Sequence, residues 1–508
     1  MTKEWNMKKL IAIALSSLIL VGCTIQPVVN PEFDPISDNG KATLQDESKE
    51  DDSESVQIPE QLPVDNDGGI FSKNDIIYFV MTDRFYDASA SSNLEDTDPT
   101  SPTKFQGGDL QGITEKLDYI ASLGATAIWL TPVMTNGQDG YHGYWIHDFY
   151  SVDPHLGSMD DFKRLVDEAH NRDIKVILDY IVNHTGYDSP WINDPQKASW
   201  FHEHKDITNW SDPVLIENGW LAGLPDLDQS NPEVESYFIE NAKWWISETG
   251  IDGFRLDTVR HVPKDFWRAF SAGIKEDYPD FFLLGEVWSD NARYIELYHK
   301  EGIDGNTNYS LYAGITAAFS PLSDVRTLIN AIQKDTNFER PDLNGIFIDN
   351  HDNPRFVSVS KENGEAYLKQ AMTLMYSYPA IPVLYYGTEI AMEGGADPDN
   401  RRMMAWDEVE GSQMLAFTKQ LVELRSKYMG ELTVIDYDVK HLVYTSKGPD
   451  GTMLVVLNTE KKEKTITFDY DHNTSQALLQ DTPAAIISSG TWQIQMPELG
   501  IAVYKVED

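Results

Sequence analysis

Short apolar runs alternate with longer amphipathic segments from about residue 75 to residue 430. The runs have the composition of buried strands, and the segments between them carry apolar residues at helical spacing. The pattern predicts strands at Ile76–Met81, Ala127–Leu130, Lys175–Leu178, Gly253–Leu256, Phe282–Gly285, Asn308–Leu311, Gly345–Ile348 and Pro382–Tyr386. It predicts helices at Gly112–Leu123, Asp160–Asn171, Pro232–Thr249, Asp265–Lys275, Ser323–Lys334, Glu365–Tyr378 and Gln413–Tyr428.

Eight strands that are each followed by a helix predict an α/β fold of the (β/α)8 TIM-barrel type, with a doubly wound parallel sheet as the alternative. We assign residues 70–182 and 230–430 to the barrel. The long connection after the third strand predicts a small inserted subdomain at residues 183–229. Residues 431–508 are expected to form a C-terminal antiparallel β-sandwich, with strands at His441–Thr445, Met453–Asn458, Lys464–Phe468, Thr491–Met496 and Ile501–Val506.

The start of the chain has the features of a bacterial lipoprotein leader. Lys8 and Lys9 precede an apolar run over residues 10–21, which is shorter than the roughly 20 residues that span a bilayer. The run ends in Leu-Val-Gly-Cys, which resembles a lipobox, so residues 1–23 are expected to be a signal peptide and Cys23 the lipidated residue. This predicts a protein held at the cell surface, outside the cytoplasm, by lipid in a bacterial membrane. The alternative is a buried N-terminal helix with an incidental cysteine.

The charge balance narrows the range of partners. The chain has 40 Lys and Arg against 82 Asp and Glu, a formal net charge of −42. Phosphate recognition needs a basic face, so we expect no nucleic-acid partner, whereas a cation or a neutral sugar remains compatible. Residues 24–69 are rich in proline and acidic residues, which predicts a disordered tether. A single cysteine excludes an intramolecular disulfide.

Polar residues stand at the ends of four predicted strands. They are Asp179, Asn183 and His184 after the third, Arg255 and Asp257 in the fourth, Glu286 in the fifth, and His351 and Asp352 after the seventh. The carboxyl ends of parallel barrel strands meet on one face, where barrel active sites lie. A carboxylate beside a buried strand is costly unless it has a partner or a function. One such residue could belong to a structural ion pair, but four strand ends together indicate an active site.

Three of these acids suit glycoside hydrolysis. The retaining reaction needs a carboxylate nucleophile and a protonated acid about 5 Å apart, and neighbouring strands lie about 4.8 Å apart. Asp257 and Glu286 can supply this pair, with Asp352 nearby. Arg255 shares a strand face with Asp257 and would keep it ionised, whereas the apolar neighbours of Glu286 favour its protonated form. Metal-activated hydrolysis is the alternative, but the expected histidine cluster is missing.

At these residues the chain resembles the α-amylase family of glycoside hydrolases (family 13). The matching motifs are GATAIWLTPV (124–133), DYIVNH (179–184), LPDLD (224–228), GFRLDTVRH (253–261), LLGEVW (283–288) and FIDNHD (347–352). The resemblance implies the barrel, the inserted subdomain and the C-terminal sandwich. It implies that Asp257 is the nucleophile, Glu286 the general acid/base, and Asp352 a third acid that holds sugar hydroxyls in the transition state.

The resemblance also implies a set of substrate contacts. Arg255 would orient Asp257, two histidines would bond sugar hydroxyls before the cleaved bond, and Tyr144 would stack on a glucose ring. The full set is Arg255, His184, His351, His142, Tyr144, Trp145, Arg260, Asp397 and Arg401. Without the motifs, a lone histidine or an aromatic cluster is more often structural.

Calcium is the cofactor that the resemblance implies. Its ligands map to Asn183, Asp226 and the backbone carbonyl of His261, and oxygen ligands suit this hard cation. The alternative is that these polar groups only bond one another. A second site, of the kind found in cyclodextrin-forming relatives, maps partially to Asp87, Asn93, Gly107 and Asp109.

These features predict a monomeric enzyme that cleaves α-1,4-glucosidic bonds inside starch, glycogen or maltodextrins with retention of configuration. Two alternatives stay open. One is an α-1,4-glucanotransferase of the cyclodextrin-forming type, although such relatives place a bulky aromatic where this chain has Ala222. The other is a surface lipoprotein that binds maltodextrin without turnover.

Overall fold

The computed structural model describes residues 56–57, 69–472 and 475–506. The predicted signal peptide, including Cys23, lies outside the described residues, as does most of the predicted tether. Within that tether, Val56–Gln57 is described as a short strand paired with Glu431–Tyr437, where no regular structure was expected. No helix in the described part of the chain has the length and apolar character needed to cross a membrane.

Eight parallel strands form a nearly closed barrel, which confirms the predicted TIM-barrel class. They are β1 Ile77–Val80, β2 Ala127–Leu130, β3 Lys175–Tyr180, β4 Gly253–Leu256, β5 Phe282–Gly285, β6 Gly305–Asn306, β7 Gly345–Ile346 and β8 Ile381–Tyr385. Strand order is β7-β8-β1-β2-β3-β4-β5-β6. A parallel bridge between Thr307 and Gly345 brings the two ends of this order together, so the doubly wound alternative is excluded.

Eleven α-helices lie in the described residues. They are α1 Leu110–Ser122, α2 Met159–His170, α3 Pro213–Asn218, α4 Pro232–Thr249, α5 Lys264–Asp277, α6 Ala292–His299, α7 Tyr309–Ala318, α8 Val325–Lys334, α9 Phe356–Val359, α10 Gly364–Ser377 and α11 Gln413–Tyr428. Local signals set several boundaries. Ser158 and Asp161 form a reciprocal capping box at α2, and α4 starts at Asn231-Pro232 and ends at Gly250 in the left-handed conformation.

The prediction for the sixth strand was wrong. The strand is Gly305–Asn306, and most of the apolar run at 308–311 belongs to α7 instead. Asn308 caps that helix, with its side-chain oxygen accepting from the backbone N–H of Leu311 at 2.9 Å. A short apolar run has no periodicity that separates a buried strand from a buried helix, so the cap, not the composition, decided the outcome.

The segment between β3 and α4 consists of short 3-10 turns and α3. A β-bridge between His184, just after β3, and Asp226 holds the end of this segment against its start. A hairpin that the sequence pattern did not predict, Met134–Asn136 with Ile146–Val152, follows β2. It carries the Tyr-His-Gly-Tyr-Trp motif in its connection. Both segments rise from the carboxyl ends of barrel strands, so they lie on the face where the polar strand ends meet.

The C-terminal region forms two antiparallel sheets. Its strands are β9 Glu431–Tyr437, β10 His441–Gly448, β11 Gly451–Asn458, β12 Lys464–Asp469, β13 Ser475–Ala477, β14 Ala485–Ser488, β15 Thr491–Met496 and β16 Ile501–Val506. One sheet contains β9-β10-β11-β16-β13 and the other β12-β15-β14. Side chains such as Val456, Trp492 and Tyr504 form a separate apolar core for this region, as the predicted sandwich requires.

Candidate active site

One buried guanidinium connects the acids at the ends of three neighbouring strands. Arg255 is 1% exposed, and its Nη1 donates to Asp179 Oδ1 at 2.9 Å and to Asp257 Oδ1 at 2.7 Å. Its Nη2 is paired with Glu286 Oε1. Because β3, β4 and β5 are adjacent and parallel, their ends bring these groups to one place. Asp257 and Glu286 therefore face a common point, as two-carboxylate hydrolysis requires.

The turn after Asp257 also contacts Glu286. Thr258 has φ 48°, in the left-handed region that β-branched residues rarely adopt. Its backbone N–H donates to Glu286 Oε2 at 3.2 Å. The hydroxyl of Tyr309, at the start of α7, donates to Glu286 Oε1 at 3.3 Å. The carboxyl group is thus held from both sides, with the strained turn as one of its supports.

Burial gives Glu286 the proton that an acid catalyst needs. Desolvation, helped by the charges of Asp257 and Asp352, raises the pKa of Glu286 to about 8 against the opposing effect of Arg255. The group is therefore mostly protonated at neutral pH and can donate to a leaving oxygen. Burial likewise raises the pKa of Asp179 to about 7.

Asp352 lies beside a second arginine. Arg401 Nη2 donates to Asp352 Oδ1 at 3.3 Å, and its Nη1 is 3.1 Å from Asp397 Oδ1. Its Nε donates to the backbone carbonyl of His351 at 2.8 Å. The structure thus brings together four of the predicted residues on this side of the site. The side chains of Asp352 and Asp397 are 25% and 50% exposed, so both carboxylates can reach a ligand.

Aromatic rings form a wall next to the acids. Tyr144 stacks on His351 with 5.2 Å between ring centroids and an angle of 16°. Its ring also stacks on His142, with 5.8 Å between centroids. The Tyr144 hydroxyl donates to Asp179 Oδ2 at 2.7 Å, which fixes the ring. His184 Nε2 is 3.2 Å from the carbonyl of Tyr144. The predicted platform and the three predicted histidines therefore belong to one cluster.

Burial favours the neutral form of the three histidines. Burial lowers the pKa of His142, His184 and His351 below the ordinary value. A neutral imidazole offers one donor and one acceptor, which suits a hydroxyl group. Within the described residues, His351 Nδ1 is buried without a hydrogen-bond partner. The other ring nitrogen of His351, Nε2, is 3.4 Å from Asp352 Oδ2.

The remaining two predicted contacts lie further out. Trp145 meets His142 edge-on, with 4.5 Å between ring centroids. Arg260 Nη1 donates to the carbonyl of Trp288 at 2.8 Å, and its guanidinium carbon is 5.9 Å from the ring of Trp210. Arg260 therefore lies on the Glu286 side of the site, without a contact to the three acids among the described interactions.

Two of the predicted calcium ligands, Asn183 and Asp226, are neighbours in the inserted segment, and the third, His261, follows β4. The bridge between His184 and Asp226 places Asp226 next to Asn183. In the described residues, Oδ1 of Asn183 and Oδ1 of Asp226 are both buried without a hydrogen-bond partner. Burial raises the pKa of Asp226 to about 7 although His202 is 2.7 Å from its Oδ2. His261 is buried, and its Nδ1 is 3.1 Å from the Ile216 carbonyl.

The residues of the second predicted metal site are also neighbours. Asn93 Nδ2 donates to both carboxylate oxygens of Asp87 at 3.1–3.2 Å, and a Cβ at Gly107 would lie 2.5 Å from Asn93 Oδ1. Asp109, however, caps α1 and accepts three backbone N–H bonds. Across the described residues, no three His, Cys, Asp or Glu side chains converge in a way that could hold a metal ion.

Sequence analysis did not assign roles to three residues of the cluster. Asp179 stands at a strand end, but its bond to Arg255 depends on the neighbouring strand. Tyr309 lies in the run that was assigned to a strand. Thr258 gave no signal, because a positive φ at a β-branched residue has no sequence signature.

Comparisons with known proteins agree with this geometry. A family profile described as the α-amylase catalytic domain matches residues 79–429. A β/α-amylase of Paenibacillus polymyxa is 39% identical over 346 residues, which are 65% of this chain and 28% of that protein. A cyclomaltodextrinase of Geobacillus thermopakistaniensis is 31% identical over 434 residues, 81% of this chain and 72% of that protein. The crystal structure of an Anoxybacillus α-amylase superposes with a TM-score of 0.81 at 43% identity, covering 85% of this chain and 98% of that one.

Proposed function

Because this chain belongs to the α-amylase family of glycoside hydrolases, we propose that it cleaves α-1,4-glucosidic bonds inside starch, glycogen or maltodextrins with retention of configuration. One observation carries the proposal: a single guanidinium, that of Arg255, contacts both Asp257 and Glu286. This contact keeps the attacking carboxylate close to the proton donor. The two can then act on the anomeric carbon and the glycosidic oxygen of the same bond. A site that only binds sugar has no need of this pair.

The reaction follows from the two acids. In the first step Asp257 attacks the anomeric carbon while Glu286 donates its proton to the departing glycosidic oxygen, which leaves a glycosyl-enzyme ester. In the second step the Glu286 carboxylate takes a proton from water, and the water oxygen displaces Asp257 from the anomeric carbon. Two inversions at the same carbon give net retention, and both acids return to their initial protonation states.

The surrounding residues position the sugar. Tyr144 presents an aromatic ring next to the acids, and such rings suit the apolar faces of glucose. The neutral imidazoles of His142, His184 and His351 can bond its hydroxyls. Asp352, held by Arg401, is placed to bond hydroxyls whose contacts tighten in the transition state. We assign Arg260 to the leaving-group side because of its bond to Trp288, two residues after Glu286.

Replacing the nucleophile tests the proposal. We expect Asp257→Asn to reduce the release of reducing ends from soluble starch by about 10⁴-fold or more, since the variant cannot form the ester. Asp265→Asn is the matched control, because Asp265 has a 91% exposed side chain in α5 and should leave activity unchanged. Activity of Asp257→Asn equal to the control would refute the proposal.

Product analysis separates hydrolysis from transfer. Amylose treated with a hydrolase of this kind gives short linear oligosaccharides, whereas a glucanotransferase gives cyclic or elongated products. Ala222 supports hydrolysis as the main reaction, since it offers only a methyl group at a position where cyclodextrin-forming relatives carry a large ring. Cyclic products as the main fraction would favour the transferase alternative.

We also propose that a calcium ion binds beside the active site. Asn183 Oδ1 and Asp226 Oδ1 are buried acceptors without partners in the described residues, which is costly unless a cation completes them. One carboxylate, one amide and the His261 carbonyl form an oxygen set that suits Ca²⁺. The ion would supply charge compensation for Asp226 and hold the inserted segment in place.

Chelation tests the calcium proposal. We expect EDTA to lower the melting temperature by several degrees and remove about one equivalent of calcium, because the ion binds the folded state only. Asp226→Asn should bind less calcium and show a smaller change with EDTA. An unchanged melting temperature, together with no calcium in the purified protein, would contradict the proposal. We propose a second calcium site at Asp87 and test it by the same measurement. A second equivalent of calcium in the purified protein would support it.

We propose finally that the chain is a monomer anchored outside the cytoplasm by lipid on Cys23. The support is the sequence of residues 8–23, with two lysines, a short apolar run and the lipobox-like ending.

A further inference from the structure

Among the phenylalanine, tyrosine and tryptophan side chains of the described residues, Tyr187 is the most exposed, with 46% of its surface accessible. It lies three positions after His184, in the segment that leaves β3. Exposure of a single ring is common on protein surfaces. The orientation of this ring, however, is fixed by its neighbours.

Several contacts hold the ring in place. Its hydroxyl donates to the carbonyl of Ala222 at 3.1 Å. On one side of Tyr187, the N–H of Gly186 donates to the carbonyl of Ile146 at 2.9 Å. On the other side, Asp188 pairs with His147 at 2.7 Å. The residues on both sides of Tyr187 and its own hydroxyl are therefore held in place. A side chain that is fixed in this way loses little entropy when it contacts a ligand.

The ring is the outer end of an aromatic series that starts at the catalytic acids. Tyr144, bonded to Asp179, lies next to His142, and His142 meets Trp145 at 4.5 Å. Trp145 meets Tyr187 at 5.3 Å and an angle of 68°. This last contact is edge-on, so Trp145 does not stack on Tyr187. The series leads from Tyr144, whose hydroxyl bonds the buried Asp179, to the exposed ring of Tyr187.

Space remains beside the ring. A Cβ built on Gly223 would meet nothing within 4 Å except the Tyr187 ring, at 3.9 Å. Ala222 adds only a methyl group there. Gly223 has φ 80°, a conformation that larger residues rarely adopt, so the backbone keeps this position small. A flat sugar unit could therefore lie against Tyr187.

We propose that Tyr187 is a specificity-determining residue that stacks on a glucose unit outside the pair flanking the cleaved bond. The inference rests on the proposed function and adds a preference for longer α-1,4-glucans. Aromatic faces bind the C–H faces of sugar rings, and binding energy from remote units lowers the barrier at the reacting centre. Only substrates long enough to reach Tyr187 from the acids gain this contact.

A series of substrates of increasing length tests the role. kcat/KM is measured for maltotriose to maltoheptaose and for amylose, with wild type, Tyr187→Ala and Tyr187→Phe. We expect the ratio of wild type to Tyr187→Ala to rise from about one for maltotriose to about tenfold for amylose. Tyr187→Phe keeps the ring and should stay within about twofold of wild type. Tyr437→Ala, which removes a 37% exposed ring from the C-terminal sheet, should show no dependence on length.

The outcomes separate this inference from the proposed function. A wild type that cleaves no α-glucan would refute the function itself. A wild type that cleaves every substrate, with a Tyr187→Ala ratio that is the same at all lengths, would overturn the role of Tyr187 alone. Tyr187→Leu keeps apolar bulk against Trp145 but has no flat ring. If Tyr187→Ala melts at a lower temperature than wild type, the same rise in ratio with Tyr187→Leu supports the role, and a flat ratio overturns it.

Discussion

At the residue scale, the proton on Glu286 depends on how its two oxygens are bonded. The Tyr309 hydroxyl donates to Oε1 at 3.3 Å and the Thr258 N–H donates to Oε2 at 3.2 Å. Both bonds favour the carboxylate, whereas burial favours the neutral acid and prevails, raising the pKa to about 8. The balance leaves Glu286 protonated at neutral pH and still able to lose its proton during the reaction.

The balance predicts a pH effect. Activity needs the protonated form of Glu286, so kcat/KM should fall as the pH rises through about 8, the pKa of this group. Tyr309→Phe removes a bond that favours the carboxylate, which raises the pKa further and moves this alkaline limb to higher pH. We expect activity at neutral pH to fall by less than about tenfold. A pH profile of kcat/KM measures both effects.

Tyr312→Phe is the matched control, because Tyr312 lies in the same helix and stacks on Phe347 at 4.8 Å without bonding Glu286. An alkaline limb that moves to lower pH in Tyr309→Phe, or that moves equally in both variants, would contradict the assigned bond.

At the element scale, one helix cap also fixes the conformation of a neighbouring loop. Asp109 is fully buried and caps α1, accepting from Gly112 at 2.6 Å and from Ser89 and Ala88 at 2.7 and 3.1 Å. One side chain thus ties the loop after β1 to the start of α1. The loop at residues 87–93 contains two of the residues of the second predicted metal site, so its conformation does not depend on a metal alone.

Removing this cap should destabilise the protein. We expect Asp109→Ala to lower the free energy of unfolding by about 1–2 kcal/mol, because a buried cap with several donors is lost. Asp324→Ala removes the exposed cap of α8 and should cost less. Thermal melting of both variants, with and without calcium, provides the measurement. In EDTA, Asp109→Ala should lose more stability than Asp324→Ala. If the two variants lose the same stability in EDTA and Asp109→Ala loses more only in calcium, Asp109 acts mainly through a metal and not as a cap.

At the scale of the whole molecule, the predicted anchor at Cys23 precedes every described residue in the chain. Val56–Gln57 pairs with β9 of the C-terminal sheet. The predicted lipidation site, Cys23, precedes this strand by about 30 residues that are rich in acidic residues and proline. If these residues form the tether that their composition predicts, an anchored enzyme would be able to reach a very large glucan.

Lipid attachment is tested by location. We expect wild-type protein in the membrane fraction of the host bacterium and Cys23→Ser in the soluble or secreted fraction, since a signal peptide without the acylated cysteine gives no stable anchor. Starch hydrolysis per molecule should be the same for both. Membrane recovery of Cys23→Ser equal to wild type would show that the apolar run itself, or another segment, holds the protein.

Local pattern predicted much of the architecture. The strands Ala127–Leu130, Gly253–Leu256 and Phe282–Gly285 and the helices Pro232–Thr249 and Gln413–Tyr428 have the bounds expected from sequence. Their apolar periodicity, Pro at a helix start and Gly at a helix end act over a few residues. The strand-end acids were also visible, since Asp179, Asp257 and Glu286 each stand directly after a predicted strand and Asp352 follows four residues after another.

Other elements could not be predicted in this way. The strand Gly305–Asn306 and the strand Ala485–Ser488 are short and owe their extended form to neighbouring strands, not to composition. The hairpin after β2 was missed because it has few apolar residues at regular spacing. The motifs named the residues of the site but did not predict which of them bond one another.

The sequence by itself therefore determined most of the barrel's strands and helices and which acids stand at strand ends, because these depend on near neighbours along the chain. Only the tertiary structure decided that Arg255 contacts both Asp257 and Glu286, that Tyr309 bonds Glu286, and that Tyr187 continues a wall of rings. These contacts join positions far apart in the chain. They form only when the barrel closes and its strands take their register, so distance in space, not order in sequence, sets them.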